Sequence, residues 1–413
     1  MRCEGKLQVV FVNRFFFPDE AATGQLLSDL AFAVAAQGQQ VAVVTSSQRY
    51  RDGPVLPAAE TIHGVYVRRV WTPRRGRASL LRRALQYLTF YLGASWHLLR
   101  MVNRGDILVA LTDPPALSVP AALVSFVKGA ALINWLQDVF PETATNLGVH
   151  VPGRRLLAGL RNWSLRRARA NVVLSASMGR RIGRLGVTAS AIQLIDNWTD
   201  DDAIRPLDSR ACALREEWGF GDCFIVEYSG NMGRAHEFDT ILGAAHHLRD
   251  QADVVFLFVG DGYALAAIRA RIAELALPNI VIKPPQPRHR LAEVLGLGDV
   301  HLISLQPALE GLVVPSKYYG ILAAGRPVLY VGDRDADLAR EVAGSECGYV
   351  VAPGNSEELA ARIRELRDEQ ERRQRMGTRA RGLLEARYTR RTALRRWNQL
   401  VSTLAAQPRL PTT

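Results

Sequence analysis

Between Glu310 and Leu329 the chain reads EGLVVPSKYYGILAAGRPVL, and its charged residues stand where each asks for a partner. Pro315 suits the first turn of a helix and Ser316 the position of a cap or first-turn hydroxyl, so a short helix is predicted to begin here. Lys317 then falls in that first turn, where the positive end of the helix dipole repels a cation. A bound anion removes the conflict: a diphosphate satisfies both dipole and ammonium, while Glu310 just upstream can accept hydrogen bonds from sugar hydroxyls. The plainer alternative is that Glu310 and Lys317 pair with each other on the surface.

Glycine loops stand between strand and helix in both halves of the chain, in RFFFPDEAATG with Gly24 and in SGNMGRAHEFD with Gly230 and Gly233. FVGDG, with Gly260, ends a further strand. Free backbone N–H groups in such loops favour a phosphate, although each glycine taken singly also reads as an ordinary turn residue. Neither loop spells G-x-x-x-x-G-K-[ST], and FVNRFF lacks G-x-G-x-x-G, so neither a P-loop ATPase nor a nicotinamide-binding domain is supported. In WLQDVFPE, Asp138 and Glu142 are candidates for groups near a second substrate, with Asp113 of TDPP behind them. Cys3, Cys212, Cys223 and Cys347 form no C-x-x-C pair, and the histidines have no ligand spacing with acids. No metal site is expected, and isolated thiols fit a reducing compartment.

The elements that must hold these residues read as two strand-helix arrays. LQVVFVN, an apolar helical pattern, Gly38 and QVAVVTSS make a βαβ unit, and VYVRRV, DILVAL, AALINWLQ, ANVVLSA and SAIQLIDNW read as further strands. The second half repeats the plan with FIVEYSGN, DVVFLFVGDG, NIVIKPP, DVHLISLQP, GRPVLYVG and GYVVAPG, followed by two long helical patterns rich in i,i+4 charge pairs. The prediction is an α/β protein of two doubly wound, Rossmann-like domains facing a cleft, 1–200 and 201–390, with a helix and frayed tail over 391–413 that packs back on the first domain.

At 413 residues, 48% apolar and 22% charged, the chain has the composition of a globular protein. Its opening residues carry no signal-peptide pattern, and the apolar stretch from Leu108 to Val127 is interrupted by Asp113 and Pro114-Pro115, so a cytoplasmic protein without a spanning helix is expected. The net charge of +12 is uneven: residues 1–205 hold 25 basic against 14 acidic side chains, and the remainder 27 against 26. The excess clusters at Arg68, at Arg74, in LLRRALQYLTFYLGASWHLLR from Leu80 and in RRLLAGLRNWSLRRARAN from Arg154, where basic residues alternate with Leu, Trp, Tyr and Phe. That pattern suits adsorption to an anionic membrane surface, and equally a buried amphipathic helix with arginines outside. No nucleic-acid motif accompanies the charge, and nucleic acid is not expected as a partner.

Taken together, YSGNMGRAH, FVGDG, EGLVVPSKYYGILAAGRPVLYVGD, WLQDVFPETATNLGV and NWTDDD resemble the family 4 glycosyltransferases of the GT-B fold. Within that family they are similar to bacterial colanic-acid and O-antigen fucosyl- or N-acetylfucosaminyl-type transferases (WbuB-like). The blocks occur in the family's order across almost the whole chain. The resemblance implies a retaining transfer from a nucleotide-diphosphate sugar, with no metal ion and no cofactor, the donor held by the second domain and the acceptor by the first. It implies Glu310, Lys317 and Asp138 as catalytic, and Gly24, Gly230, Asn231, Gly233, Arg234, Gly260, Pro315, Ser316 and Tyr319 around the donor. Asp113 and Glu142 fall on the acceptor side.

Two positions depart from the family pattern. The second acid of the family's pair is replaced by Gly320, and the loop cations of many relatives align with Asn231 and His236, leaving Arg234 nearby. The expected function is sugar transfer to a lipid-linked oligosaccharide in surface polysaccharide synthesis, at the inner face of the cytoplasmic membrane. A nucleotide-sugar epimerase of the same fold and a non-catalytic scaffold subunit are the rival readings.

Overall fold

The computed structural model describes residues 7–50, 54–73, 80–208, 210 and 212–406. Cys3, the basic run from Arg74 to Arg77, the side chains of Arg82 and Arg83, and the PRLPTT tail lie outside the described residues. The chain forms two compact units, Met1–Asp196 with Leu394–Thr413, and Asn197–Ala393.

Unit 1 is wound around a sheet of eight strands. β1 (Gln8–Val12) leads through α1 (Ala22–Ala36) to β2 (Gln40–Ser46), which lies parallel to it with Val10 opposite Ala42. β3 (Ala59–Ile62) and β4 (Val65–Val70) extend that side, and α2 (Leu80–Met101) carries the chain back to β5 (Ile107–Ala110). From there α3 (Ser118–Lys128), β6 (Ala131–Trp135), α4 (Glu142–Asn146), α5 (Arg154–Arg167), β7 (Ala170–Val173), α6 (Ala176–Gly183) and β8 (Ile192–Leu194) follow in turn. The strand order is β3-β4-β2-β1-β5-β6-β7-β8. ILVA of β5 and ANVV of β7 are buried at every residue, the pattern of parallel strands covered on both faces. β3 alone runs antiparallel, at the edge, and its AETI sequence alternates exposed and half-buried residues. It is an addition to the strands expected from apolar runs, because an edge strand needs no such run.

Unit 2 repeats the winding with α7 (Ala213–Glu217), β9 (Phe224–Ser229), α8 (Asp239–His247), β10 (Val254–Val259), α9 (Leu265–Glu274), β11 (Ile280–Lys283), α10 (Leu291–Leu297), β12 (Val300–Ser304), α11 (Lys317–Ala323), β13 (Val328–Val331), α12 (Asp337–Gly344) and β14 (Gly348–Val351). Its strand order is β11-β10-β9-β12-β13-β14, all parallel. In each sheet the order reverses beside the first strand, β1 against β5 and β9 against β12. Ligands of open α/β sheets bind outside the carboxyl ends of the strands at such a point.

Two local expectations are corrected. Gly24 lies within α1, not in the loop before it; a Cβ there would stand 3.2 Å from the Phe15 backbone, so glycine lets the preceding loop fold onto the first helical turn. The two long C-terminal helices are three: α13 (Ser356–Asp368) and α14 (Gln370–Leu383) part at Glu369, and a π turn over Leu384–Tyr388 precedes α15 (Arg390–Ala406). The break lets each helix bury its own stripe, Leu359, Ile363 and Leu366 on α13, Met376 and Ala380 on α14. Of the two places expected for Ser316, the structure gives the first-turn one: its backbone is already helical and its side chain makes no capping bond. From Leu394 onward α15 belongs to unit 1, where Trp397 packs on Trp135 with ring centroids 4.7 Å apart, both rings fully buried.

Candidate functional site

The glycine turns of unit 2 are knitted to each other at the carboxyl ends of β9 and β10. A Cβ on Gly260 would stand 2.0 Å from the Gly230 carbonyl oxygen, and one on Gly262 2.5 Å from that of Met232, so both positions require glycine. With the side chains gone, Met232 N–H donates to the Asp261 carbonyl at 2.8 Å and Ala264 N–H to that of Met232 at 2.9 Å. The Tyr228 hydroxyl closes the turn on the Asn231 carbonyl at 3.0 Å. Asn231 and Arg234 are exposed, and the Arg234 guanidinium lies 3.7 Å above the exposed ring of Tyr263.

Lys317 opens α11 and reaches back toward this turn. Its Nζ sits 3.4 Å over the centroid of the buried Tyr228 ring, and its Cε would lie 3.6 Å from a Cβ on Gly230. Part of the residue is exposed, but Nζ itself is sealed from solvent and has no hydrogen-bond partner. The surface pair with Glu310 is therefore not formed; Glu310 instead accepts from the Asp337 N–H, at 3.3 Å, at the start of α12. Burial alone drives the Lys317 ammonium well below its ordinary pKa. A ring face attracts the charge but supplies no acceptor oxygen, so the ammonium keeps its capacity to donate to an incoming anion.

The neighbourhood includes His236, Ser304 and Tyr228, to which the sequence reading gave no part in the site. His236 Nδ1 bonds the Ser304 carbonyl at 2.6 Å; burial and then the Lys317 charge depress its pKa to about 3. The imidazole is thus neutral, with its proton on Nδ1 and Nε2 left as an acceptor. Ser304 Oγ is buried without a hydrogen-bond partner. Tyr228 could have been suspected only from its place near the end of β9, two residues before Gly230, and Ser304 from its place at the end of β12. Pro315 is buried beside Lys317 in the chain. Tyr319 is buried with its ring packed on Tyr318 and Tyr388, centroids 5.9 and 5.3 Å away. Gly320, where the second acid was expected, is buried too, and a Cβ there would press within 3.1 Å of Leu295 Cδ1.

In unit 1 the acids named from the sequence fall beyond β5 and β6. Asp138 Oδ1 is buried without a hydrogen-bond partner, and it borders a cavity of ≈ 20 Å³ lined also by Thr112, Ser118, Phe140 and Arg161. Burial raises its carboxyl to about 6, against a side-chain hydrogen bond from Thr112 and with help from the negative charge of Asp113. Glu142 has a different environment: its Oε1 accepts from Arg161 at 2.5 Å, and Arg161 also donates to the Phe140 carbonyl at 2.8 Å. Asp113 accepts the Arg14 N–H on its backbone oxygen at 2.7 Å. Gly24 lies in α1, against Phe15. No cluster of three His, Cys, Asp or Glu side chains that could hold a metal occurs among the described residues.

Known glycosyltransferases resemble this chain along most of its length. Residues 22–198 match the model "Glycosyl transferase 4-like domain" and residues 213–383 the model "Glycosyl transferases group 1", and together the two cover well over half of the chain. WbjE of Pseudomonas aeruginosa, named as a glycosyltransferase, is 25% identical over 71% of this chain and 74% of its own. WcaI of Escherichia coli K12, named for colanic acid biosynthesis, is 24% identical over 87% of this chain and 91% of its own. Among solved structures, Anabaena HepE in complex with UDP and glucose superposes with a TM-score of 0.72 at 17% identity, covering 97% of this chain and all of its own. WaaG, a glycosyltransferase involved in lipopolysaccharide biosynthesis, gives 0.69 at 16% identity, with coverages of 97% and 100%. Two Rossmann-like sheets in sequence and two consecutive family matches in the same order make this chain a family 4 glycosyltransferase of the GT-B fold.

Proposed function

We propose that the chain moves a sugar, with retention at the anomeric carbon and without a metal ion, from a nucleotide-diphosphate donor to a lipid-linked oligosaccharide in surface polysaccharide synthesis. The names of WcaI and WaaG support the pathway class, and the UDP and glucose in the HepE complex support the donor class. A deoxyhexose such as fucose or N-acetylfucosamine is the sugar this reading favours.

The observation that carries the proposal is the sealed, unpartnered ammonium of Lys317 against the two glycine turns. A buried cation without a partner opposes folding, and an anion that enters beside it recovers the lost interaction. The donor diphosphate is such an anion. As the bond from the anomeric carbon to the diphosphate oxygen breaks, negative charge grows on that oxygen; Lys317, Arg234 and the turn amides stabilise it. The departing phosphate takes the proton of the acceptor hydroxyl, so no strong protein base is needed, and Asp138 orients the acceptor in unit 1. Glu310 holds the donor sugar.

Calorimetric titration with UDP and GDP tests the reading, using the full chain and Lys317→Met, which keeps the length of the side chain and removes the charge. The wild type is expected to bind one nucleotide and the variant to bind it at least a hundredfold more weakly, about 3 kcal/mol. At the same time Lys317→Met should raise the stability of the nucleotide-free protein by about 1–3 kcal/mol in urea, because it relieves the buried charge. Equal binding by both proteins would sink the assignment of Lys317.

A further inference from the structure

The sequence left two readings for the basic, aromatic segments of the first half, and the structure separates them. α2 buries Gln86, Phe90, Ala94 and Leu98, one stripe at a spacing of four, against the sheet. On its opposite side Leu85, Leu88, Leu92, Trp96 and Leu99 are exposed, Leu92 at 64% and Trp96 at 55%. A helix that only covers a core is apolar on one side; this one is apolar on two.

The outer stripe continues onto its neighbours. α2 packs on α3 and α3 on α5, and these present Leu123, Phe126 and Val127, and Leu156 and Leu160, to solvent. Phe126 is 57% exposed, Val127 70% and Leu156 69%. None of the three helices, of 22, 11 and 14 residues, contains an aspartate or glutamate, although the chain has 40 acids. Among the described side chains, the exposed charges on and beside them are Arg100, Arg104, Arg154, Arg155, Arg166 and Arg167. Two of these are laid on the apolar residues themselves: the Arg100 guanidinium is 4.2 Å above the Trp96 ring and that of Arg167 4.4 Å above Phe126.

We propose that the outer face of α2, α3 and α5 docks on an anionic phospholipid surface, Leu92, Trp96, Phe126 and Leu156 entering the headgroup boundary while the arginines meet lipid phosphates. A protein partner would be matched by charges of both signs, whereas a face wholly without acid, with arginines lying beside apolar rings, is complementary to a bilayer that is apolar below and negative above. No described helix is long and apolar enough to cross a membrane, so attachment is to one leaflet. This deepens the reading of a lipid-linked acceptor and rests on it for its purpose, but its test needs no sugar transfer.

The test is co-sedimentation of the full chain with phosphatidylcholine vesicles, with and without about one third phosphatidylglycerol, in low and high salt. The wild type should partition to the anionic vesicles at least tenfold more than to neutral ones, and lose that preference in high salt. Leu92→Glu with Trp96→Glu should reduce partitioning at least tenfold, and Arg100→Glu with Arg167→Glu by a similar factor, about fivefold per arginine removed. Both variants should keep the wild-type melting temperature and nucleotide affinity, which separates this result from failure of the donor site. Equal binding to neutral and anionic vesicles, or unchanged binding by both folded variants, overturns the proposal. So does a dimer in sedimentation analysis that Leu92→Glu dissociates, with no vesicle binding; the face would then belong to a second copy of the chain.

Discussion

Two half-buried side chains, one in each unit, have a polar atom sealed from solvent without a hydrogen-bond partner, Lys317 Nζ and Asp138 Oδ1. Burial drives the Lys317 ammonium well below its ordinary pKa, and it pushes the Asp138 carboxyl up to about 6. For Asp138 the sign follows directly: the folded state binds its proton more tightly than the unfolded chain, so stability falls as pH rises from about 4 through 6. Asp138→Asn should abolish that decline and leave the protein more stable at pH 7, by on the order of 2 kcal/mol. Urea midpoints of both proteins at pH 4.5 and pH 7 decide it; parallel slopes in pH would mean that Asp138 is not the titrating group. If Asp138 also orients the acceptor, the same variant loses turnover while nucleotide binding stays intact. Glu142 differs in its contacts: Arg161 pairs with its Oε1, while its Oε2 is buried without a hydrogen-bond partner.

At the scale of elements, the donor side depends on loops that side chains are excluded from. Gly260 approaches the Gly230 carbonyl so closely, with φ of +153°, that Gly260→Ala must push β9 and β10 apart at their ends. The expected loss is about 2–4 kcal/mol in stability, with nucleotide binding abolished even under conditions where the protein remains folded. Denaturation curves and calorimetric titration would show it, and wild-type affinity in the alanine variant would mean that the two turns are not rigidly joined. The glycines were visible in the sequence, but their mutual contact was not, because they are separated by a whole helix and strand. Gly24 shows the converse: it read as a loop residue and proved to be helical, its space taken by Phe15. The broken C-terminal helix likewise has no proline or glycine at Glu369 to announce it; the break serves the burial of two separate stripes.

Over the whole molecule, each unit has its own sheet and core, and the last helix returns the chain to the first unit. Trp397→Ala removes a buried ring from Trp135 and should destabilise unit 1 by about 3–5 kcal/mol. Scanning calorimetry with and without nucleotide checks this: the substitution lowers a transition that nucleotide does not raise, while nucleotide at 100 times its Kd adds about 2.7 kcal/mol to unit 2. A single transition shifted by both changes would contradict separate cores. What the sequence by itself determined is the α/β class, the alternation of strands and helices, the family, and the positions of the glycine turns, because these depend on short-range patterns of apolar residues and on backbone freedom. Only the tertiary structure decided that the Lys317 ammonium is sealed over Tyr228, that Asp138 lines a cavity, and that α2 is apolar on its outer side as well as its inner one. Those facts depend on which distant segments come into contact and on what they leave exposed to water, and no local spacing of residues encodes that.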